Sequence, residues 1–158
     1  MGHVGGTQVS LFDVSDLAAP TRLATFVLAG AISSAEFDPH AFLYWPGAHL
    51  TVIPLQVTGV AVGTPVPPDG VAQSPDAPLS GALVLRIGDS DITEAGFITQ
   101  PDTANTTGYP GYSPIERSLV IGQTLWTIST AGAMASDLTT LRHRDFVPFA
   151  GTGSAATR

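Results

Sequence analysis

Short apolar runs alternate with clusters of turn-forming residues along the chain, and this pattern constrains the fold more than any motif does. The 158 residues include 17 Gly and 13 Pro, which fall mostly between runs of aliphatic, β-branched and aromatic residues. Runs of this kind, bounded by Gly, Pro, Asn, Asp or Ser, are typical of β-strands. No long apolar stripe with the 3.6-residue helical period is present. The sequence therefore predicts an all-β protein.

Several runs also show the two-residue period of an extended chain. In 82–87, Leu83, Leu85 and Ile87 fall on one face, whereas both faces of 51–57 are apolar, as expected of a strand covered on both sides. The segments 29–35 and 131–138 are each predicted to form no more than a short helical turn. The predicted strands are 8–14, 21–28, 33–38, 41–44, 49–57, 81–87, 92–99, 115–121, 124–130 and 138–149.

Composition excludes several classes of site. The chain has no Cys, which excludes disulfides, zinc–thiolate centres and thiol nucleophiles. It also has no Lys, and the net charge of -7 offers no basic surface for nucleic acid, so neither a phosphate-binding lysine loop nor a nucleic-acid partner is expected. Neither a membrane-spanning run nor a basic segment followed by an apolar run is present, so we expect no membrane span and no signal peptide in this chain. No cofactor is predicted.

The apolar runs are arranged as antiparallel meanders, which are the units of propeller blades. Three segments carry a more specific pattern: 9–16 (VSLFDVSD) followed by Pro20, 34–43 (SAEFDPHAFL) and 115–141 (IERSLVIGQTLWTISTAGAMASDLTTL). In this order they resemble a bacterial family of secreted proteins with a C-terminal β-propeller distantly related to WD repeats. The resemblance spans about residues 7–149. It implies a propeller fold and an exported location, but no particular activity; where the family tends to show Thr-His, this chain has Thr99-Gln100.

Mapped onto four-stranded blades, the chain supplies a partial β-propeller of about two and a half blades. Residues 7–28 form part of one blade, 33–99 a blade with an insertion at 56–80, and 115–149 another, with a disordered tail at 150–158. Closed propellers have roughly four to eight blades. We therefore expect uncovered blade faces that associate with further blades or with a second copy, as the C-terminal part of a larger propeller would.

One acidic cluster is a candidate metal site. Glu36, Asp38 and His40 are spaced by two, so on an extended strand they would share a face and offer oxygen and imidazole ligands to a divalent metal. A metal-dependent hydrolase is accordingly one alternative function. Because Pro39 interrupts the strand pattern, the other interpretation is a turn Asp paired with a buried His.

Aromatic residues are the candidates for ligand or partner contact. Trp45 and Trp126 offer either a platform for carbohydrate or packing between blades, whereas Tyr109 and Tyr112 lie in the Gly/Pro-rich loop 101–114, where surface recognition is expected. Arg117 is predicted to pair with an acidic neighbour between blades. No set of residues typical of catalysis is present.

The turn candidates have a simpler interpretation. Asp13 and Asp16 are predicted to fix a turn through main-chain N–H groups, because their spacing does not match a calcium loop. The sequence as a whole predicts a non-catalytic scaffold or binding module of the bacterial cell exterior, with a protein or carbohydrate partner. The second alternative is a truncated propeller fragment without an independent function.

Overall fold

The computed structural model describes residues 6–57, 79–101 and 114–149, which form three antiparallel sheets without an α-helix. Three 3₁₀ turns, Ser34–Glu36, Pro39–Ala41 and Pro46–Ala48, interrupt the first half. The strands are β1 (Gly6–Asp13), β2 (Thr21–Ala29), β3 (Ala31–Ile32), β4 (Leu43–Trp45), β5 (Leu50–Val57), β6 (Leu79–Ile87), β7 (Ile92–Ile98), β8 (Ile115–Ile121), β9 (Thr124–Ser129), β10 (Gly132–Asp137) and β11 (His143–Pro148).

Each sheet is a meander of consecutive strands. The first sheet is β1–β2, the central sheet has the order β3-β5-β6-β7, and the third sheet has the order β11-β10-β9-β8. β4 also pairs with β5, at the opposite end from β3: Leu43 lies opposite Val52, and Ala31 lies opposite Val57. β3 and β4 thus act as one interrupted strand, and the central sheet has four strand positions. The predicted all-β fold of antiparallel meander sheets in a partial propeller is confirmed.

The central sheet is buried on both faces. On one face, Leu50, Val52 and Val84 share an apolar cluster with Leu125 and Met134 of the third sheet. On the opposite face, apolar residues of β5 and β6 pack against the first sheet; they include Ile53, Leu55, Leu83 and Leu85, with Val9 and Phe26 opposite. The expectation that 51–57 is covered on both sides is confirmed, because all of its residues up to Leu55 are buried.

The strand predicted at 33–38 is wrong, because polar side chains there satisfy the backbone locally. The Ser33 hydroxyl accepts a hydrogen bond from the Ala35 N–H at 3.1 Å and donates to the Pro54 carbonyl at 2.7 Å. This caps the turn Ser34–Glu36, and Asp38 caps the next turn in the same way. Ser and Asp favour such caps over continued pairing in a sheet.

The end of the chain was also predicted incorrectly. The helical turn expected at 131–138 is instead strand β10, and the strand expected at 138–149 begins only at His143. Asp137 causes the late start, because its side chain accepts hydrogen bonds from the N–H groups of Thr139 and Thr140 at 2.9 and 2.8 Å. These bonds hold a tight turn where the apolar pattern alone predicted a strand.

The side of the third sheet that faces away from the central sheet carries an apolar patch next to polar residues, since Thr124, Asp137 and Asp145 project to the same side as Trp126. Trp126 lies opposite Leu119 in one ladder, and Ile128 lies opposite Ala133 in another, so their side chains project to the same side. We call the apolar patch on this side the outer face of the third sheet; it consists of Leu119, Ile121, Trp126, Ile128, Ala133 and Val147. Ile121 and Val147 are 62% and 49% exposed, and Trp126 and Ile128 are only half-buried.

Several predicted regions lie outside the described residues, namely most of the insertion 56–80, the tail 150–158, and Tyr109 and Tyr112. In the part of the chain that is described, no helix is long and apolar enough to cross a membrane.

Candidate functional site

A cleft of about 430 Å³ opens between the end of β7 and the strands β10 and β11. It borders the core shared by the central and third sheets, because Ile98 and Met134 belong to both the core and the lining. Its apolar lining comes from Phe97, Ile98, Pro101, Met134 and Leu141, and its polar lining from Thr99, Gln100, Ser136 and His143.

Gln100 joins the two sheets at the base of this cleft. It follows β7 and is 4% exposed. Its Nε2 donates to the Thr127 carbonyl at 2.6 Å and to the Thr127 Oγ1 at 2.9 Å. A main-chain carbonyl can only accept, so this contact fixes which end of the amide is the nitrogen. The other end, Oε1, is buried and has no hydrogen-bond partner among the described residues.

Ser136 is the second polar residue buried at the cleft. It lies on β10 opposite His143 of β11 and is 1% exposed. Its Oγ also has no hydrogen-bond partner among residues 6–57, 79–101 and 114–149. The cleft is therefore lined by two buried polar side chains with unused hydrogen-bonding capacity, which folded proteins usually avoid.

Among the described residues, no Asp, Glu or Arg side chain lines the cleft. Asp137 follows Ser136 on β10, and its Oδ2 pairs with Arg144 at the surface. Hydrogen bonding from the Thr140 N–H, with the Arg144 guanidinium second, lowers the pKa of Asp137 well below its usual range. This carboxylate is held in the β10–β11 turn, so the described lining of the cleft offers hydrogen-bonding groups but no Asp, Glu or Arg side chain.

The residues of the candidate metal site do not share a face, because the strand on which that prediction rested is replaced by two turns. Glu36 Oε1 accepts a hydrogen bond from Thr7 Oγ1 at 3.0 Å. Asp38 accepts from the His40 N–H at 2.9 Å, and the 83%-exposed His40 side chain contradicts the predicted buried His. Within the described residues, no group of three or more His, Asp or Glu side chains has an arrangement that could hold a metal ion.

Asp38 forms an ion pair with Arg117, for which the sequence predicts an acidic partner. Its Oδ2 lies 2.7 Å from Arg117 Nη2, which places an ion pair between the central and third sheets. The His40 N–H contributes most to a lowered pKa of Asp38, and Arg117 lowers it further. The predicted pairing of Arg117 with an acidic neighbour between blades is therefore confirmed.

The predicted aromatic contacts occupy separate places. Trp45 ends β4, is 36% exposed and lies beside Gly47. Trp126 lies on the outer face of the third sheet, away from the central sheet that contains Trp45, so the two do not form one platform. A second, mainly apolar groove of about 360 Å³ lies between β1 and the central sheet, with Phe42 and Tyr44 in its wall.

The predicted acidic turn after β1 is confirmed. Asp13 Oδ1 accepts from the Ser15 N–H at 2.8 Å, and Asp16 Oδ1 accepts from the Ala18 N–H at 2.9 Å. The hydrogen bonds from Ser15 lower the pKa of Asp13.

Sequence reasoning missed the residues of the cleft. The sequence marks Gln100 only as a departure from the Thr-His of the family that the chain resembles, and Ser136 belongs to no motif. The sequence carries one signal for Ser136: it lies two positions after Met134, so on a strand the two side chains share a face. This signal is weak, because Ser is also common in turns.

Two four-stranded meanders packed face to face through one apolar core, with a two-stranded sheet packed on the second core, define a protein built from propeller blades. A family model described as "Beta propeller domain" matches residues 1–141, and the chain belongs to this family. Neither the curated proteins nor the solved structures include a significant match.

Proposed function

We propose that this chain is a non-catalytic scaffold whose outer face of the third sheet docks onto a further four-stranded sheet. A general role for a propeller domain in scaffolding or binding is supported by the family. The single observation that carries the specific proposal is the contrast between two similar sheets. Among the described residues, the central sheet is covered on both faces, whereas the third sheet carries an apolar patch on its outer side and is covered by a sheet only on its inner side.

Physical chemistry favours covering this face. Burial of apolar surface contributes roughly 25 cal/mol per Å². Trp126 and Ile128 are already half-buried by their neighbours in the sheet, so a flat partner could cover them without reordering the strands. Contiguous apolar faces on otherwise polar proteins commonly mark interaction sites. The proposed partner is the same sheet of a second copy of this chain.

The test is the concentration dependence of self-association, measured by size exclusion with light scattering. We expect the chain to associate reversibly and Ile121→Glu to weaken association by at least about tenfold, because burying an unpaired carboxylate costs more than the roughly 1.4 kcal/mol of that factor. Leu17→Glu is the matched control: Leu17 is 86% exposed, lies in the turn after β1 and should leave association unchanged.

Two results would contradict the docking proposal. One is a chain that stays monomeric at every concentration up to its solubility limit. The other is an equal loss of association in Ile121→Glu and Leu17→Glu, which would show a general effect of charge rather than a specific face.

We also propose, from the resemblance to secreted bacterial proteins, that the protein acts at the cell exterior. The carboxylates of Glu36 and Asp38 support a structural role over a catalytic one, since both are engaged by hydroxyl, main-chain or guanidinium partners. Fractionation of the source cells, with detection in the cytoplasm alone, would exclude the exterior location.

A further inference from the structure

We propose that the free edge of β1 binds an extended peptide as an added antiparallel strand, with apolar side chains at every second position of the peptide and basic residues at its ends. The edge belongs to the first sheet and does not include the outer face of the third sheet. The proposal is therefore independent of the docking proposed above.

The first sheet corresponds to the last two strands of each complete sheet. Gly6, Gly81 and Gly132 stand near the start of β1, β6 and β10, and a Cβ on each would lie 2.6, 2.4 and 2.4 Å from a carbonyl oxygen of the strand that follows. In the complete sheets, the strand with this glycine also pairs along its other edge, β6 with β5 and β10 with β9. Among the described residues β1 pairs only with β2, so its other edge is the one on which the complete sheets carry a further strand.

A groove of about 360 Å³ follows this edge of β1. Val9, Ser10 and Leu11 all line the groove. Because consecutive side chains of a strand project to opposite faces, a groove that three consecutive residues border follows the main-chain edge rather than one face. Every second N–H and C=O of an antiparallel strand points to such an edge, where an added strand can pair with them.

The opposite wall of the groove belongs to the central sheet and is mainly apolar. Tyr44 lies opposite Thr51 and shares the face that is directed toward the first sheet, but Tyr44 and Phe42 are 43% and 46% exposed. The central sheet has four strand positions and the first sheet has two, so β4 extends beyond β1. The inward-facing side chains of an added strand would cover both rings, which favours apolar residues at every second position of the peptide.

Charge favours basic ends on the peptide. Glu36 accepts a hydrogen bond from Thr7 near one end of β1, and Asp13 ends the strand at the other. No Arg lines the groove in the described part of the chain, and Arg22 lies across β1 on the far strand of the sheet. The net charge of the whole chain is -7, so a basic peptide is attracted and an acidic one is repelled.

A second copy of β1 does not fit this edge. Antiparallel neighbours in one sheet direct their covered faces to the same side. The central sheet of a second copy would therefore lie on the side where Phe42 and Tyr44 of the first copy already extend beyond β1. A single extended peptide brings no covering sheet with it, which makes it the occupant that this edge accepts.

The long segment between β5 and β6 joins the central sheet away from the groove. Residues 58–78 connect Val57 and Leu79, which are paired at one end of the hairpin. Thr51 and Ile87, which line the groove, lie toward the opposite end. The point where this segment leaves the sheet therefore does not border the groove.

The experiment measures binding of a capped, fluorescently labelled peptide of sequence RTVTVTVTR to the full chain by fluorescence anisotropy, and hydrogen exchange of β1 by NMR. We expect a dissociation constant of about 100 μM or below, and the edge-facing N–H groups of β1 should exchange at least about tenfold more slowly at saturation. The peptide RPVPVPVPR keeps the Val and Arg side chains but lacks alternate N–H groups, and it should bind at least about tenfold more weakly. ETVTVTVTE should also bind more weakly, with a difference that shrinks in high salt.

Tyr44→Ser tests the wall of the groove. It should weaken binding of RTVTVTVTR by at least about fivefold, because it removes a ring that the added strand would cover. Phe37→Ser is the matched control and should leave binding unchanged, since Phe37 is an 81%-exposed aromatic residue that does not line the groove. Circular-dichroism melting curves check the fold of both variants.

Equal binding of RTVTVTVTR and RPVPVPVPR would overturn the proposal, because side-chain packing alone would then explain the contact. Slowed exchange in β2 instead of β1, or equal losses in Tyr44→Ser and Phe37→Ser, would place the peptide elsewhere. Absence of binding would also overturn it. Slow exchange of every β1 N–H group in the free chain would show that another segment of this chain or a second copy already occupies the edge.

Discussion

At the scale of single residues, one carboxylate organises the turn between β10 and β11. Asp137 Oδ1 accepts from the Thr139 N–H, the Thr140 N–H and the Thr140 hydroxyl at 2.9, 2.8 and 3.0 Å. Its Oδ2 pairs with Arg144, which also donates to Thr124 Oγ1 at 3.0 Å. The side chain thus ties β9, the turn and β11 together, and its pKa is lowered chiefly by the Thr140 N–H.

The low pKa makes this contribution dependent on pH. Because the folded-state pKa of Asp137 lies below its unfolded value of about 3.9, its stabilisation is present above that pH and is lost as pH falls through the folded-state pKa. We expect Asp137→Asn to lower the melting temperature by several degrees at pH 7, and the gap to the unchanged protein to narrow below about pH 4. Thermal unfolding followed by circular dichroism from pH 7 to pH 2.5 measures this gap.

Asp89→Asn is the control for this pH series, because Asp89 is exposed in the turn between β6 and β7. Its melting curve should follow that of the unchanged protein throughout. A gap for Asp137→Asn that stays constant down to pH 2.5 would mean that the carboxylate is not the group responsible.

At the scale of strands, the two complete sheets repeat a contact between glycine and phenylalanine. A Cβ on Gly81 would lie 2.4 Å from the Ile98 carbonyl oxygen and 2.5 Å from the Phe97 ring. A Cβ on Gly132 would lie 2.4 Å from the Val147 carbonyl oxygen and 2.7 Å from the Phe146 ring. In both sheets the phenylalanine lies opposite the residue two positions after the glycine, Leu83 or Met134. An aromatic ring that covers a strand glycine helps to fix strand register.

The repeated contact predicts a large effect for a small substitution. Gly132→Ala should lower the free energy of unfolding by about 1–3 kcal/mol, because main-chain atoms of β11 block the added methyl group and the strands must separate. Urea denaturation measures the change. Gly47→Ala is the control, with an expected effect within about 0.5 kcal/mol, since its Cβ would meet only the partly exposed Trp45 side chain, at 3.1 Å. Equal effects of the two substitutions would show that the close approach at Gly132 does not limit the fold.

At the scale of the whole molecule, the central sheet couples the two cores. One of its faces packs on the first sheet and the other on the third, so neither core can open without exposing apolar residues of β5 and β6. Leu85 and Val84 are adjacent on β6, both fully buried, and belong to different cores. This arrangement predicts that the described sheets unfold as one cooperative unit.

A substitution in one core should therefore be detected in the other. Leu85→Ala, in the core shared with the first sheet, should cost about 2–5 kcal/mol. In a Trp45→Phe background, Trp126 is the remaining tryptophan and reports on the third sheet. We expect its fluorescence midpoint in urea to shift together with the midpoint from circular dichroism. Leu23→Ala, at a 42%-exposed site on β2, should shift neither midpoint appreciably. A Trp126 midpoint that stays in place while the dichroism midpoint moves would show that the sheets unfold independently.

The sequence by itself determined the features that depend on local chemistry. The two-residue period and the Gly, Pro, Asp and Ser interruptions were sufficient to predict most strands, the turn at Asp13 and the meander sheets, because strand faces and tight turns are set by neighbouring residues. Competition of side-chain oxygens for main-chain N–H groups also explains the strand predictions that were wrong. Around Ser33, Asp38 and Asp137, side-chain oxygens capture main-chain N–H groups and replace strand with turn, and with this the predicted common face of Glu36, Asp38 and His40 was lost.

Only the tertiary structure decided where the cleft between the central and third sheets lies. Gln100 follows the last strand of the central sheet and Ser136 lies within the third sheet, so they reach one cleft only when the two sheets pack. Nothing local to either residue shows that its polar atom lacks a partner, because that depends on which atoms the other sheet brings to it. The same holds for the apolar outer face of the third sheet: the alternation at Trp126 and Ile128 predicts two apolar faces, but only the stacking order determines which one is left uncovered.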